Sequence, residues 1–147
     1  DQADGKLHFV NLSDATICGG ELWISASILR DMLLTSISYM YLSTRDEITG
    51  EPLAYRSRHN LYASAELSVG GAMLGIDYMM RSRTERVKVY EDDERVPIHV
   101  VDLRAETDVG RVRFAIKISN LLQYNYTEIE RSLAPIRNFT FSARVKL

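Results

Sequence analysis

Residues 97–122, PIHVVDLRAETDVGRVRFAIKISNLL, contain two runs of alternating residues on either side of a tight polar turn. In residues 101–109 apolar or neutral side chains hold the odd positions and charged side chains hold the even ones. Residues 112–119 also alternate, but here the apolar side chains hold the even positions and the odd positions hold Arg113, Ala115, Lys117 and Ser119. Because side chains on a strand point to opposite faces with a period of two, each run is predicted to be a strand with one apolar and one polar face. Gly110 in the turn can take a positive φ, so the stretch predicts a β-hairpin.

The same alternation predicts five further strands, so that the whole chain is all-β. These strands are expected at residues 16–27, 35–44, 59–69, 72–83 and 138–147. The apolar parity of all seven carries no charged residue. Strand lengths of roughly ten residues are typical of membrane spans, whereas strands in soluble sheets usually have about five or six. Tyr39, Tyr41 and Tyr78 lie on the apolar parity, and Tyr41 is near a strand end, as an interfacial girdle requires.

The connections between these strands alternate between short and long. Short turns follow the first, third and fifth strands. Long polar loops follow the second, fourth and sixth strands, at residues 45–58, 84–96 and 121–136. This asymmetry is typical of membrane β-barrels. Gly19-Gly20 in the first strand predicts a bulge or a close backbone approach. Whether residues 7–10 form a separate strand or the far end of the first one stays open.

Composition limits the class of protein. The 147 residues suit one domain, and a formal charge of -2 with a pI near 5.9 argues against nucleic acid as a partner. Cys18 is the single cysteine, so the sequence allows no disulfide within the chain and has no zinc-ligand spacing. These residues show neither the pattern of a signal peptide nor a run of about 18 apolar residues, so we expect any membrane role to come from strands.

Several short motifs occur in a characteristic order along the chain. They are Gly20-Glu21-Leu22, Tyr39-Met40-Tyr41-Leu42 with Arg45-Asp46, Thr49-Gly50-Glu51-Pro52-Leu53, Arg58-His59-Asn60, Val101-Asp102-Leu103, Ser119-Asn120-Leu121-Leu122 with Tyr126, and Arg137-Asn138-Phe139-Thr140-Phe141. In this order they resemble the C-terminal β-barrel portion of TonB-dependent outer-membrane receptors, over nearly the whole chain.

The resemblance implies an antiparallel transmembrane β-barrel segment of about seven strands, the last seven of a 22-stranded barrel. It implies residence in the outer membrane of a Gram-negative bacterium, with the long loops outside the cell. In that family the barrel surrounds an N-terminal plug and imports siderophores, cobalamin or similar scarce nutrients with energy delivered by TonB. The implied partners are therefore outer-membrane lipid, TonB acting through the plug, and a small nutrient ligand.

The sequence also departs from the family. It has no plug domain and ends in Leu147, whereas members usually end in an aromatic residue. We therefore expect residues 1–147 to be a fragment or a separate C-terminal chain of the receptor barrel. Seven strands cannot close in the usual even antiparallel way, and open edges in lipid are costly. The remaining strands and the plug must come from another chain or from sequence not present here.

Orientation follows from the two parities. Leu61, Leu103, Ile116 and Val145 are expected to face lipid. The polar parity is expected to face a wet lumen with the side chains of Glu66, Asp102, Arg104, Glu106, Arg113, Lys117 and Arg144. These charges alternate along strands and do not converge, so we interpret them as lumen wall and not as a catalytic cluster.

Ligand contact is expected in the long loops, because recognition residues usually lie on loops held by a rigid scaffold. The candidates are Tyr55, Arg56, Arg58, Arg86, Tyr90, Arg95, Tyr124, Tyr126 and Arg131. Aromatic and arginine side chains suit large, anionic or metal-chelate ligands. The alternative is that these loops only cap the barrel.

No catalytic residue, metal site or cofactor is predicted. His8, His59 and His99 lie on different segments without ligand spacing, and the acidic run Glu91-Asp92-Asp93-Glu94 lacks the pattern of a calcium loop. The leading hypothesis is thus a non-enzymatic transport barrel. A soluble ligand-binding β-barrel and, with less support, an outer-membrane barrel enzyme remain as alternatives.

Overall fold

A computed structural model describes residues 14–90, 92, 95–129 and 131–145, with residue 129 described by its backbone alone. The strands are β1 Ala15–Ile28, β2 Leu33–Asp46, β3 His59–Val69, β4 Ala72–Arg81, β5 Ile98–Val109, β6 Val112–Ser119, β7 Thr127–Ile129, β8 Ser132–Leu133 and β9 Asn138–Val145. The seven long strands form one antiparallel sheet in the order β1-β2-β3-β4-β5-β6-β9, which we call the wall.

The register of the wall places every apolar parity on one face. In antiparallel pairs, residues directly opposite one another lie on the same side of the sheet. One continuous row runs Leu67, Leu74, Ala105, Ile116 and Phe141, from β3 to β9. We call this side of the wall the apolar face and the other side the polar face. The all-β fold and the seven antiparallel strands predicted from alternation are confirmed.

The apolar face has no layer packed against it among the described residues. Leu74 is 58% exposed, Ile116 44% and Phe141 69%. Within the described segments, the side chains that come closest to a core are those of Val87, in the second long loop, and Ile98, the first residue of β5. Neither lies on the apolar face. The wall alone therefore buries very little apolar surface and needs another apolar medium or partner on this face.

The structure corrects the predicted strand ends. β1 ends at Ile28 and β2 begins at Leu33. The turn between them is therefore shorter than the gap at residues 28–34 that separates the two predicted strands. β2 also continues to Asp46, which places Arg45 on the otherwise charge-free apolar parity at its loop end. β4 ends at Arg81 and not near residue 83. Alternation cannot place such ends, because backbone pairing extends into polar flanks as long as a partner strand is present.

The region 121–136 is not simply a loop, as the sequence had suggested. It contains the two-stranded hairpin of β7 and β8. Strands of three and two residues are too short to show a period, so no pattern could predict them. The possible strand at residues 7–10 and most of the acidic run at 91–94 lie outside the described residues. No helix in the described part of the chain is long and apolar enough to span a membrane.

The glycine pair in β1 makes a close backbone approach and not a bulge. The register continues without interruption through Gly19 opposite Leu42 and Gly20 opposite Tyr41. A Cβ on Gly19 would overlap the carbonyl oxygen of Tyr41, whereas one on Gly20 would meet nothing within 4 Å. Only the first glycine is therefore required by its surroundings.

Candidate functional site

Ion pairs connect neighbouring strands across the centre of the polar face. Arg104 on β5 reaches Glu66 on β3, with Nη1 3.4 Å from Oε2, and Asp77 on β4, with Nε 3.2 Å from Oδ2. The Nε group is close enough for an ion pair but is not aligned as a hydrogen-bond donor. The Tyr62 hydroxyl donates to Asp77 Oδ1 at 2.9 Å. One guanidinium therefore links three adjacent strands.

Gly75 makes room for this arginine. Gly75 lies directly opposite Arg104 in the register of β4 and β5. A Cβ at residue 75 would come within 2.5 Å of Arg104 Nε and 2.7 Å of its Cγ. The arginine side chain thus lies flat across the backbone of β4, where any larger residue would displace it.

Asp102 connects the polar face to the third long loop. Its Oδ2 is 3.0 Å from Lys117 Nζ, and its Oδ1 accepts the backbone N–H of Asn120 at 2.9 Å. Asp77 and Asp102 lie directly opposite each other, an arrangement that is destabilising for like charges. Arg104 on one side and Lys117 on the other supply the compensating charge.

A second ion-pair group lies near the short turns. Arg113 donates to both oxygens of Asp108, at 2.8 and 3.1 Å, and lies 3.8 Å from Glu106. Arg144 is directly opposite Arg113, is exposed, and makes no ion pair with a described residue. Of the predicted polar-face residues, Glu66, Asp102, Arg104, Glu106, Arg113 and Lys117 therefore take part in ion pairs. Asp77 was not among the predicted polar-face residues, although its place on the polar parity of β4 indicates that it lies on that face.

Asn120 organises the entry and exit of the third long loop. It is only 3% exposed, and its φ of +51° is one that asparagine tolerates better than most residues. Its Nδ2 donates to the carbonyls of Tyr124 and Pro135, and its Oδ1 accepts the N–H of Tyr124 at 2.8 Å. Asn120 belongs to the motif Ser119-Asn120-Leu121-Leu122, but only the structure shows that both its side-chain nitrogen and its side-chain oxygen make hydrogen bonds within the loop.

The three long connections contact one another at one end of the wall. We number them loop 1 (47–58), loop 2 (82–97) and loop 3 (120–137). Arg58 pairs with Glu85 at 2.7 Å, and the backbone N–H of Tyr55 donates to the carbonyl of Arg86 at 2.9 Å. Tyr124 of loop 3 donates its hydroxyl to the carbonyl of Pro97 at 2.7 Å. The loops therefore form a connected layer and not three independent segments.

Several predicted ligand-contact residues are engaged within this layer. Arg95 donates to the carbonyl of Glu85 at 2.8 Å, and the Arg131 guanidinium lies 3.6 Å from the centre of the Tyr90 ring. Tyr126 stacks on Tyr124, and burial, followed by the nearby Glu128 charge, raises the pKa of the Tyr126 phenol. Together with Arg58 and Tyr124, these side chains hold the loops in place.

The remaining predicted residues converge on one small cavity between loops 1 and 2. It has a volume of about 180 Å³ and is lined by Asp46, Pro52, Leu53, Ala54, Tyr55, Arg56, Arg86 and Lys88. The backbone N–H groups of Thr49 and Ile48, followed by the charges of Arg86 and Lys88, lower the pKa of Asp46. Lys88 was not predicted as a contact residue, because nothing in the sequence shows that it lies beside Arg56.

The two histidines in the described part of the chain pair with tyrosines on the apolar face near the loops. Tyr39 Oη lies 2.7 Å from His59 Nδ1, and Tyr78 Oη lies 2.8 Å from His99 Nδ1. The two pairs repeat the same contact on successive hairpins, and Tyr124 adds an edge contact to His99. This is an aromatic band at one height of the wall, where a membrane interface would put it. The described residues contain no group of three or more His, Cys, Asp or Glu that could hold a metal ion.

A second, larger cavity lies on the apolar face. It is a groove of about 450 Å³ between Leu67, Leu74, Ile76, Leu103 and Ile118, where Ala65 and Ala105 leave space. Its lining offers no polar side chain except Arg104, which belongs to the ion pairs already described. We therefore assign it to the surface that the surrounding apolar medium covers.

Comparison with known proteins supports this architecture. No family model matches the sequence, and no curated protein matches it. Among solved structures, the copper transporter OprC matches 88% of this chain with a TM-score of 0.74 and 18% sequence identity. The match covers 23% of OprC, so this chain spans about a quarter of that protein's length. An identity this low shows the fold alone: the chain has the fold of a seven-stranded antiparallel segment of an outer-membrane-type β-barrel.

Proposed function

We propose that this chain forms part of the wall of an outer-membrane receptor that imports a siderophore, cobalamin or a similar scarce nutrient. The single observation that carries the proposal is the separation of the two faces. One face of the wall is apolar and has no layer packed against it among the described residues, while the other carries cross-strand ion pairs from β3 to β6. Lipid on the first face and a wet lumen on the second explain both facts at once.

Energy from TonB, delivered through a plug, belongs to the same proposal. It is supported by the motif order that resembles TonB-dependent receptors, and the fold likeness to a transporter is consistent with it. β1 and β9 are both edges of the wall and run in the same direction, because six antiparallel pairings separate them. Closing the barrel with antiparallel strands alone therefore needs an odd number of further strands.

Orientation is tested by cysteine labelling of the complete receptor in outer membranes. In a Cys18→Ser background, Leu103→Cys is expected to react with a lipid-soluble maleimide and to resist a charged one. Glu66→Cys, on the polar face, is expected to react with the charged reagent. If Leu103→Cys reacts readily with the charged reagent, the apolar face does not lie in lipid, and a soluble barrel becomes the better interpretation.

Transport is tested separately by nutrient uptake in cells that lack the receptor gene. Cells carrying the intact gene are expected to take up the nutrient, and cells without TonB are expected to lose that uptake. Uptake that persists without TonB would contradict the proposed energy source. Uptake that does not depend on the receptor gene would contradict the transport role.

A further inference from the structure

Six of the eight cationic side chains of the loops fall into two groups. Arg58 and Arg95 are held by Glu85, and Arg131 lies on the ring of Tyr90. Arg56, Arg86 and Lys88 make no side-chain hydrogen bond or ion pair within 4 Å with any described residue, yet all three line the same cavity. The side chains of the first group hold the loops together, whereas those of the second group bind no other side chain among the described residues.

The cavity has a strong excess of positive charge. Three cations face one carboxylate, that of Asp46, whose Oδ1 already accepts the N–H groups of Ile48 and Thr49 at 2.9 and 3.2 Å. The N–H groups of Thr49 and Ile48 are the main cause of the lowered pKa of Asp46, and the charges of Arg86 and Lys88 lower it further. An arginine fork binds carboxylate and phosphate oxygens bidentately, so an anion would use donors that the described residues leave free.

The position of the cavity separates it from the lipid side. Asp46 and Thr44 lie on the polar parity of β2, and the hydroxyl of Thr44 accepts the N–H of Leu53 from loop 1 at 3.1 Å. Loop 1 is therefore fastened on the polar side of the wall. The cavity lies at the loop end of the polar face, where a solute entering the lumen from the loop side would pass.

The volume limits what can enter. Sites for whole drug-sized ligands usually enclose about 300–1,000 Å³, and this cavity of about 180 Å³ is smaller. It can hold one charged group of a larger solute, or a small inorganic anion. We infer that Arg56, Arg86 and Lys88 form an anion-binding site that takes a carboxylate or phosphate group of the incoming solute. The identity of that solute rests on the proposed function, whereas anion binding itself does not.

Binding is tested on the complete receptor in detergent, with inorganic phosphate and citrate as separate probes in a calorimetric titration. Each of the two cations can supply a charged hydrogen bond, so Arg86→Gln with Lys88→Gln is expected to weaken the binding of both anions by about a hundredfold or more. Arg83→Gln is the matched control, because Arg83 is an exposed cation of loop 2 that does not line the cavity. It is expected to leave both affinities unchanged.

A second variant protects the test against misfolding. Arg56 is exposed and its side chain holds no other residue, so Arg56→Gln is expected to fold normally and still lose about tenfold in anion affinity. Absence of binding in the unmodified receptor, or an equal loss in Arg83→Gln, would overturn the site.

The same anionic chemistry could come from lipid headgroups. Titrating phosphate into receptor in phosphatidylcholine vesicles, with and without lipopolysaccharide, separates the two sources. Unchanged phosphate affinity supports a solute site, whereas competition by lipopolysaccharide overturns it. If phosphate binding depends on Arg86 and Lys88 but receptor-dependent uptake is absent, the transport proposal fails and the anion site stands.

Discussion

The two faces of the wall share one backbone but obtain their stability in different ways. On the apolar face, Ala105 has apolar neighbours on both sides, Leu74 and Ile116, and no specific partner. On the polar face, the next residue, Glu106, lies 3.8 Å from Arg113. The apolar face depends on the medium that covers it, whereas the polar face depends on particular pairs. Substitutions at neighbouring positions should therefore lower the free energy of unfolding by different amounts.

The largest expected difference is between Ala105→Arg and Glu106→Arg. Burying a charge on a lipid-facing strand near the middle of the bilayer costs about 2–4 kcal/mol, so Ala105→Arg is expected to lower the free energy of unfolding by that amount. Glu106→Arg loses one exposed pair and is expected to cost less than about 1 kcal/mol. Denaturant titration of the receptor in lipid bilayers measures both. Equal costs would show that the two faces have the same surroundings.

Gly75→Ala tests how tightly the polar face is packed. The new Cβ would displace the Arg104 side chain and weaken its pairs with Glu66 and Asp77. Overpacking of this kind costs about 1–3 kcal/mol. Gly20→Ala, where a Cβ meets nothing within 4 Å, is the matched control and is expected to be nearly neutral.

A double-mutant cycle identifies the cause of that cost. In an Arg104→Ala background, Gly75→Ala is expected to cost close to nothing, because the side chain it displaced is gone. A cost that stays the same in both backgrounds would mean that Gly75 is needed for the backbone of β4 and not for Arg104.

The loops repeat the behaviour of the polar face, since their contacts are specific. Asn120→Ala removes the hydrogen bonds to Tyr124 and Pro135 and leaves their part-buried backbone groups without these partners. Such a loss costs about 1–3 kcal/mol. Hydrogen exchange is expected to accelerate through residues 121–136 while β5 and β6 stay protected. Asn125→Ala, at an exposed position of the same loop, serves as the control, and comparable acceleration there would contradict a special role for Asn120.

The smallest expected effect concerns Asp46, the last residue of β2, where loop 1 begins. Its pKa is lowered in the folded protein by the N–H groups of Thr49 and Ile48, so the ionised form stabilises the turn. This contribution is fully present above the unfolded pKa of about 3.8 and is lost as the pH falls through the lower folded pKa. Exchange of the Ile48 amide is expected to be slower in wild type than in Asp46→Asn at pH 6. The difference should disappear below the folded pKa, and a difference independent of pH would contradict this origin.

Alternation was sufficient to predict the wall, because the sequence of each strand by itself shows which side chains share a face, whichever strand lies beside it. The period of two in residues 101–119 determined the hairpin of β5 and β6, and the same argument placed Leu61 and Glu66 on opposite faces of β3. It also determined that charges would be absent from the apolar parity through most of each strand. Arg45 is the exception, because β2 extends further than its pattern.

Only the tertiary structure decided which charged and aromatic residues are free to act. Arg58 and Arg86 look alike in the sequence, yet Arg58 is neutralised by Glu85 and Arg86 lines the loop cavity. The difference arises from contacts between segments more than 25 residues apart, such as Arg58 with Glu85 or Tyr124 with Pro97. Such contacts depend on the packing of irregular loops, which has no period that a sequence can display. The alternation of each strand is a local property, whereas the partner of a loop side chain is set by where the whole wall brings the loops together.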